Sequence, residues 1–548
     1  QRDGQSMILV EVYLEKEVAG SAVSVTAEDR MREGKRAQLR IVEALALVET
    51  DIVRSYAAVP GLSAWVPQEV FDKLPASPGG SRTMHLSGGE VLLLSPQVSG
   101  SGDDPEDTSG SLSSGGGGLV SSRDVINADE LHQRGILGAG QRIAILDTGI
   151  DRFHPDFQGR IVAEACFCAN PAGNCCPNGS ATQFGPGSAQ DDHRHGTNVA
   201  GIAAAGSGNT GVAPAAEIVA VKTMSSQNRF FSFADQTAAL DWLYTQNLGL
   251  SSVNMSLGTG IDYAGPCDEE ASWTRAAKTA VANLASQGTT VVVSAMNDAL
   301  VNRLPVPACL SNTVTVGASD DQDVPAVFSN SSPLVDFFAP GVSVRASRLG
   351  GGSVTFTGTS MSAPHVAGGL ALLGEAFPSR APVELLASLD RTGIGLIDSA
   401  GNSSPRIDLY AGFLEFLAEV PGVPTNVRLA PGDGQLLVFF TPGSGSDPGN
   451  EVVFEALCSD GTRSFTGSGQ QSPVRVSGLE NGVAYRCQVF ASNVAGASTL
   501  SELSDTVVPE FAEIAPLPFW LIYHALGAEA ESEPEPESIP ESMVDPQD

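Results

Sequence analysis

Between residues 123 and 418, short near-continuous apolar runs ("RIAILD", "EIVAVKTM", "SSVNMSLG", "TTVVVSA", "TVTVGAS") alternate with helical stretches rich in small residues, such as "GTNVAGIAAAG" and "EASWTRAAKTAVANLASQ". A strand that is apolar at every position has to be covered on both faces, and strands that alternate with helices pair in parallel. The pattern therefore predicts an α/β domain: a mostly parallel sheet with helices on both faces. In such sheets functional residues gather at the carboxyl ends of the strands.

The flanks read differently. Residues 1–97 predict a small α+β unit, because "MILVEVYL" alternates like a strand and "AEDRMREGKRAQLRIVEALALV" is a charged amphipathic helix. Residues 98–122 are Gly/Ser/Asp low complexity and are expected to form a flexible linker, open to cleavage. Residues 421–509 switch to short alternating strands, among them "QLLVFFTP" and "AYRCQVFASN", which predict an all-β sandwich. The tail 510–548 has ten acidic residues and no Lys or Arg, so disorder is expected there. Its apolar stretch "PLPFWLIYHALGA" is too short to span a bilayer.

Charge and cysteine usage narrow the function classes. With 63 acidic against 30 basic residues the net charge is −33, which excludes nucleic acid as a partner because binding it needs a basic footprint. The eight cysteines are clustered: 166, 168, 175 and 176, then 267 and 309, then 458 and 487. An even, clustered set predicts disulfides and an oxidising compartment. The four in "CFCANPAGNCC" also admit a metal, but the adjacent Cys175 and Cys176 would chelate awkwardly. No signal peptide or membrane span is visible and the chain starts at Gln1, so the expectation is a secreted protein whose leader has been removed.

Three segments carry chemistry. "AILDTGID" puts Asp147 at the end of a buried strand, "DDHRHGTNVAGIAAAG" puts His195 at a helix start, and "FTGTSMSAPHVAGGLALL" puts Ser360 at another, with Pro364 expected in the first turn. A serine hydroxyl becomes a nucleophile when an imidazole takes its proton, and a carboxylate fixes that imidazole. "VVVSAMND" ends a strand on Asn297, which alone reads as a turn residue.

These motifs, in the order Asp, His, Ser, resemble the subtilisin-like serine peptidases over roughly 123–418. The resemblance implies Asp147 as orienting acid, His195 as general base and then acid, Ser360 as nucleophile and Asn297 as oxyanion donor. It implies that the backbone of Ser256, Leu257 and Gly258 pairs with an extended substrate, with Ala295 and Met296 beside the first specificity pocket. "NRFFSF" would add an outer wall from Phe230, Phe231 and Phe233, with a core role equally open. Two departures stand out: Met296 replaces the usual glycine, and Asn198 the frequent histidine. No cofactor is implied for the chemistry, but a structural calcium is, held through backbone carbonyls and an Asp at Ser311, Thr313 and Asp336. A Cys267–Cys309 disulfide is expected to stiffen the pocket rim.

Residues 7–97 resemble the family's propeptide, an intramolecular inhibitor, which implies self-processing within 98–122. Residues 421–509 resemble a fibronectin type III domain, with Tyr485 as its corner tyrosine and a Cys458–Cys487 cross-strand disulfide. The expectation is a secreted, monomeric endopeptidase acting on proteins or peptides. The competing readings are a relic adhesive protein that binds through the sandwich, and a lipase-like hydrolase. The latter would place serine in G-x-S-x-G, whereas this chain has G-T-S-M-S.

Overall fold

The computed structural model describes residues 6–16, 26–47, 52–76, 80–86, 90–102, 106–107, 121–170, 173–208, 210–417, 420–446, 452–493 and 495–510. The acidic tail from 511 onward and most of the linker lie outside these residues. The chain divides into two units, one of residues 1–422 with 444–452 and 492–498, the other of 423–443, 453–491 and 499–548.

The first unit opens with β1 (Met7–Lys16), α1 (Ala27–Leu45), β2 (Ile52–Ser55), β3 (Gly61–Pro67), α2 (Gln68–Lys73), β4 (Arg82–His85) and β5 (Glu90–Pro96). The strands form one sheet in the order β2-β3-β1-β5-β4. Val10 and Val12 of β1, Leu62 and Ala64 of β3, and Leu92 and Leu94 of β5 bury one face under Ala37 and Ile41 of α1. Within the segment expected to be a flexible linker, Gly100–Gly102 (β6) and Glu106–Asp107 (β7) are instead paired strands. Their sequence has no apolar period; the partner strands impose the conformation.

The body of the unit follows with α3 (Ser122–Val125), α4 (Ala128–Gln133), β8 (Arg142–Asp147), β9 (Ile161–Phe167), β10 (Thr182–Phe184), α5 (His195–Ala204), β11 (Glu217–Lys222), β12 (Arg229–Phe230), α6 (Ala234–Gln246), β13 (Ser252–Met255), β14 (Leu257–Thr259), β15 (Asp262–Tyr263), α7 (Ser272–Ala285) and β16 (Thr290–Ser294). It ends with β17 (Leu304–Pro305), β18 (Val314–Ser319), β19 (Phe337–Pro340), β20 (Val344–Ser347), β21 (Ser353–Thr357), α8 (Thr359–Ala376), α9 (Pro382–Thr392), β22 (Ile394–Ile397), β23 (Ser403–Arg406) and α10 (Leu409–Leu417). Ten strands form one sheet, β10-β9-β11-β8-β13-β16-β18-β19-β23-β22, parallel except at its two edges. Both faces are buried, as the apolar runs required. In β8, Ile143 and Ile145 enter the cluster under α5 and α8, while Ala144 and Leu146 enter the cluster under α6 and α7.

Small residues let α5 and α8 come close. A Cβ on Gly368 would lie 2.7 Å from Val212 Cβ and 2.9 Å from the Ala203 carbonyl oxygen, so a larger residue there would push the helices apart. Pro364 is the sixth residue of α8, in its second turn rather than the first. Its missing N–H deprives the Ser360 carbonyl of a helical donor. The Ser256 hydroxyl takes that place, donating to the Ser360 oxygen at 3.0 Å.

All eight cysteines are paired: 166 with 176, 168 with 175, 267 with 309 and 458 with 487. The second unit holds β24 (Thr425–Gly432), β25 (Gln435–Thr441), β26 (Val453–Ser459), β27 (Ser464–Gly469), β28 (Val474–Ser477) and β29 (Arg486–Asn493). One sheet runs β24-β25-β28 and the other contains β27-β26-β29, with Leu436, Val438, Phe454, Val476 and Val489 buried. Phe440 packs on Phe454 at 4.8 Å between ring centroids. The Tyr485 hydroxyl accepts the Glu480 N–H at 3.1 Å.

Candidate active site

Asp147 ends β8, and His195 starts α5 after Arg194, whose φ of 107° turns the chain sharply into the helix. His195 Nδ1 lies 2.7 Å from Asp147 Oδ1, with both side chains fully buried. A carboxylate only accepts, so Nδ1 carries the hydrogen and Nε2 is left with the lone pair that a base needs. The approach depends on Gly196: a Cβ there would overlap the Gly149 carbonyl oxygen and lie 3.0 Å from Asp147 Oδ1. Asp191, which the sequence reading passed over, fixes this turn. Its carboxylate accepts the N–H groups of His193, Arg194 and Thr197 and the hydroxyls of Thr148 and Thr197. The signal was the paired Asp before "HRHGT", an acceptor set at a helix start.

Ser360 is the second residue of α8, so its own N–H is among the first-turn donors that have no acceptor inside the helix. It is tied to the ends of two neighbouring strands. The Ser256 hydroxyl holds its carbonyl as described, and its Oγ lies 3.4 Å from the Ser256 carbonyl oxygen. Just before it, the Thr359 N–H donates to Asn297 Oδ1 at 2.9 Å, and the Met296 N–H donates to Thr359 Oγ1 at 3.0 Å. Holding Oδ1 this way leaves Nδ2 as the other end of the Asn297 amide. Asn330, which carries no signal in the sequence, holds the loop: it binds the Ala295 and Met296 carbonyls and accepts the Asp298 and Leu300 N–H groups. The histidine of the "SMSAPHVAG" motif, His365, is not part of this set. Burial pushes its imidazole down to about 4, and it contacts the Met361 carbonyl and the Ser122 hydroxyl.

Met296 is buried with φ at 72°, a conformation that favours glycine. Its side chain lies over Gly258, where an added Cβ would sit 2.8 Å from Met296 Cγ. The Ser294 hydroxyl lies 3.5 Å from its sulfur. The expected outer wall divides: Phe230 is buried beside Gly100, Phe231 is partly exposed, and Phe233 belongs to the core against Trp273. Asn198 donates to the Ser347 carbonyl at 3.2 Å from inside α5.

The side chains of the residues expected to hold calcium make contacts within the protein. The Ser311 hydroxyl donates to Asp268, the Thr313 hydroxyl to the Pro307 and Leu310 carbonyls, and Asp336 Oδ2 accepts the Thr315 N–H. Among the described residues no group of three or more His, Cys, Asp or Glu side chains converges.

Two strands from the segment before residue 121 pair with strands next to Ser256 and Ser360. β6 lies antiparallel between β14 and β12, with Gly102 opposite Leu257, Ser101 opposite Gly258 and Arg229, and Gly100 opposite Thr259 and Phe230. β7 pairs with β21, which ends just before α8. Only residues 103–105, outside the described set, join β6 to β7. The α+β segment that leads into β6 docks across α6 and α7. Arg54 Nε reaches Asp235 Oδ1 at 2.7 Å, and the arginine also donates to Thr182 Oγ1 and the Ala181 carbonyl. The Ala57 and Ala58 N–H groups donate to Asp241. Tyr13 meets Thr279 at 3.0 Å, and Arg30 donates to Asn283 at 2.6 Å. Burial raises both Asp235 and Asp241 above the usual carboxylate range.

A model of the subtilase family matches residues 138–408. Subtilisin BL of Lederbergia lenta is 33% identical over 274 residues, 50% of this chain and 90% of that protein. M-protease of Shouchella clausii strain KSM-K16 is 33% identical over 274 residues, 63% of its own length. The crystal structure of a cold adapted subtilisin-like serine proteinase aligns with 49% of this chain and 89% of that one, at 27% identity and a TM-score of 0.40.

Proposed function

The chain belongs to the subtilase family and is a serine protease, and from that premise we propose that it is a secreted endopeptidase made as a self-processing zymogen. His195 Nε2 takes the proton of Ser360 Oγ as the oxygen attacks the carbonyl carbon of the scissile peptide. Asp147 keeps the imidazole in the right tautomer and offsets its positive charge. The oxyanion that forms is met by Asn297 Nδ2 and the Ser360 N–H, at the positive end of α8. Collapse expels the amine, which takes the proton from His195. A water molecule, deprotonated by the same imidazole, then releases the acyl group from Ser360.

The substrate is held as a strand between β12 and β14, which explains a main-chain recognition that reads few side chains. The observation that carries this reading is the chain's own path: β6 pairs with β14, which follows Ser256, and β7 pairs with β21, which leads into α8 and Ser360. The bond cut first therefore lies between Gly102 and Glu106, inside the span 98–122 where processing is expected. Residues 7–96 then act as inhibitor, because β6 blocks the groove while the segment stays docked. The fibronectin type III reading of 421–509 is supported by its two sheets and the Tyr485 contact. Secretion is supported by four disulfides.

The test is the full chain with Ser360→Ala. It should remain a single species of 548 residues, whereas the unaltered chain yields a new N-terminus among residues 103–106. A Ser360→Ala chain that is still cut there when purified alone would refute self-processing.

A further inference from the structure

Resting on the protease reading, we propose that the groove selects extended segments with glycine at alternating positions, Gly-Xaa-Gly, on the side leading to the cut. The walls beside β6 leave no room for a side chain at either of its glycines. A Cβ on Gly100 would overlap the Gly258 carbonyl oxygen and the tip of the Phe230 ring, with Phe230 Cε1 at 2.8 Å. A backbone oxygen cannot rotate away. The ring is buried and packs edge-on against Phe233 at 5.9 Å, which itself contacts Trp273 at 5.7 Å. Moving Phe230 therefore disturbs three packed aromatic residues, and interiors at crystal-like density yield little.

The second wall is Asn228. A Cβ on Gly102 would lie 2.5 Å from its Oδ1, 2.9 Å from its Nδ2 and 3.0 Å from its Cγ. Asn228 is buried and sits at φ 57°, its N–H bonded to the Ser225 carbonyl and its own carbonyl accepting the Gly102 N–H at 3.0 Å. The same hydrogen bond that holds the substrate strand thus brings the blocking side chain against it. Side chains alternate along a strand, so Ser101 meets neither wall and its position tolerates any residue. The chain's own "GSG" fits this template.

The full chain, allowed to process itself, is given quenched fluorogenic peptides copying residues 97–107, "QVSGSGDDPED". The parent and the Ser101→Leu peptide should show kcat/KM within threefold of each other, while Gly100→Ala or Gly102→Ala lowers it at least 20-fold. Asn228→Gly, a change that suits the positive φ, should recover most of the Gly102→Ala loss and leave the Gly100→Ala loss in place. Alanine peptides cut as fast as the parent, or an Asn228→Gly enzyme that relaxes both positions equally, would overturn the inference. A serine-directed phosphonate separates the two levels. Ser360 labelled but the parent peptide refused overturns the glycine selectivity alone, whereas an unlabelled Ser360 overturns the protease reading and the inference with it.

Discussion

Replacing Arg54 with methionine should loosen the inhibitory segment more than any other single change at its interface. Arg54 and Asp235 are 7% and 1% exposed, so the guanidinium is the main compensation for a carboxylate buried in α6. Removing one partner of a buried ion pair costs about 3–5 kcal/mol, because the other charge is stranded. At about 1.4 kcal/mol per tenfold, the dissociation constant should rise on the order of 100- to 3,000-fold. Two features set the lower part of that range: Asp235 Oδ2 keeps the Ala169 N–H at 2.9 Å, and burial already raises the carboxyl, so it can take up a proton instead of staying charged. The penalty should accordingly be smaller at pH 5 than at pH 8. The assay is the self-cleaved chain in serial dilution, with recovered peptidase activity reporting the fraction from which the segment has left. Arg54→Met with Asp235→Leu should restore much of the loss, since no lone charge remains. A change under threefold for Arg54→Met, or a double variant as weak as the single, would refute the reasoning.

Docking should also depend on pH through Glu11, buried at the face of β1 where the Ser272 hydroxyl meets its carbonyl; burial pushes its carboxyl up to about 8 against the Gln97 hydrogen bond. The docked state favours the protonated form, so affinity should be greatest in acid and fall by up to about tenfold per unit from pH ~4.5 to ~8, then level off; a Glu11→Gln segment should flatten the profile, and a flat wild-type curve would contradict it. Asn297→Ala should lower kcat about 10²- to 10³-fold with little change in KM, as expected for a donor that acts on the transition state; steady-state kinetics decides, and an unchanged kcat would remove Asn297 from the oxyanion site. Met296→Gly removes the side chain over Gly258 and relieves a positive φ, so peptides with an aromatic residue at the cut should gain at least tenfold in kcat/KM; equal gains for alanine peptides would show that Met296 does not shape that pocket.

The sheet and its two buried faces were legible because β8, β11 and β16 each carry an unbroken run of three or four apolar residues, a pattern with few other solutions. Asp147, His195 and Ser360 were legible because each opens or closes an element in a long motif, and the structure joins the first two directly. The strand at Gly100–Gly102 was hidden, since glycine and serine carry no period and the pairing comes entirely from Leu257–Thr259 and Arg229–Phe230. Pairing within residues 166–176 was open in the sequence; β9 settles it, because Cys166 and Cys168 sit two residues apart and the returning chain meets them in nested order. Pro364 was misplaced by one turn, which concealed the role of Ser256.

Because β6, β7 and Ser360 belong to one chain, the first cleavage, if the chain cuts itself as proposed, would be a first-order event, with a half-time that dilution leaves untouched. Every later substrate would arrive by diffusion and have to displace a strand cut from the same chain. A population of such molecules would arm at a rate each molecule sets alone, and the lag before it digests anything else would measure how slowly Gly100–Gly102 unzips.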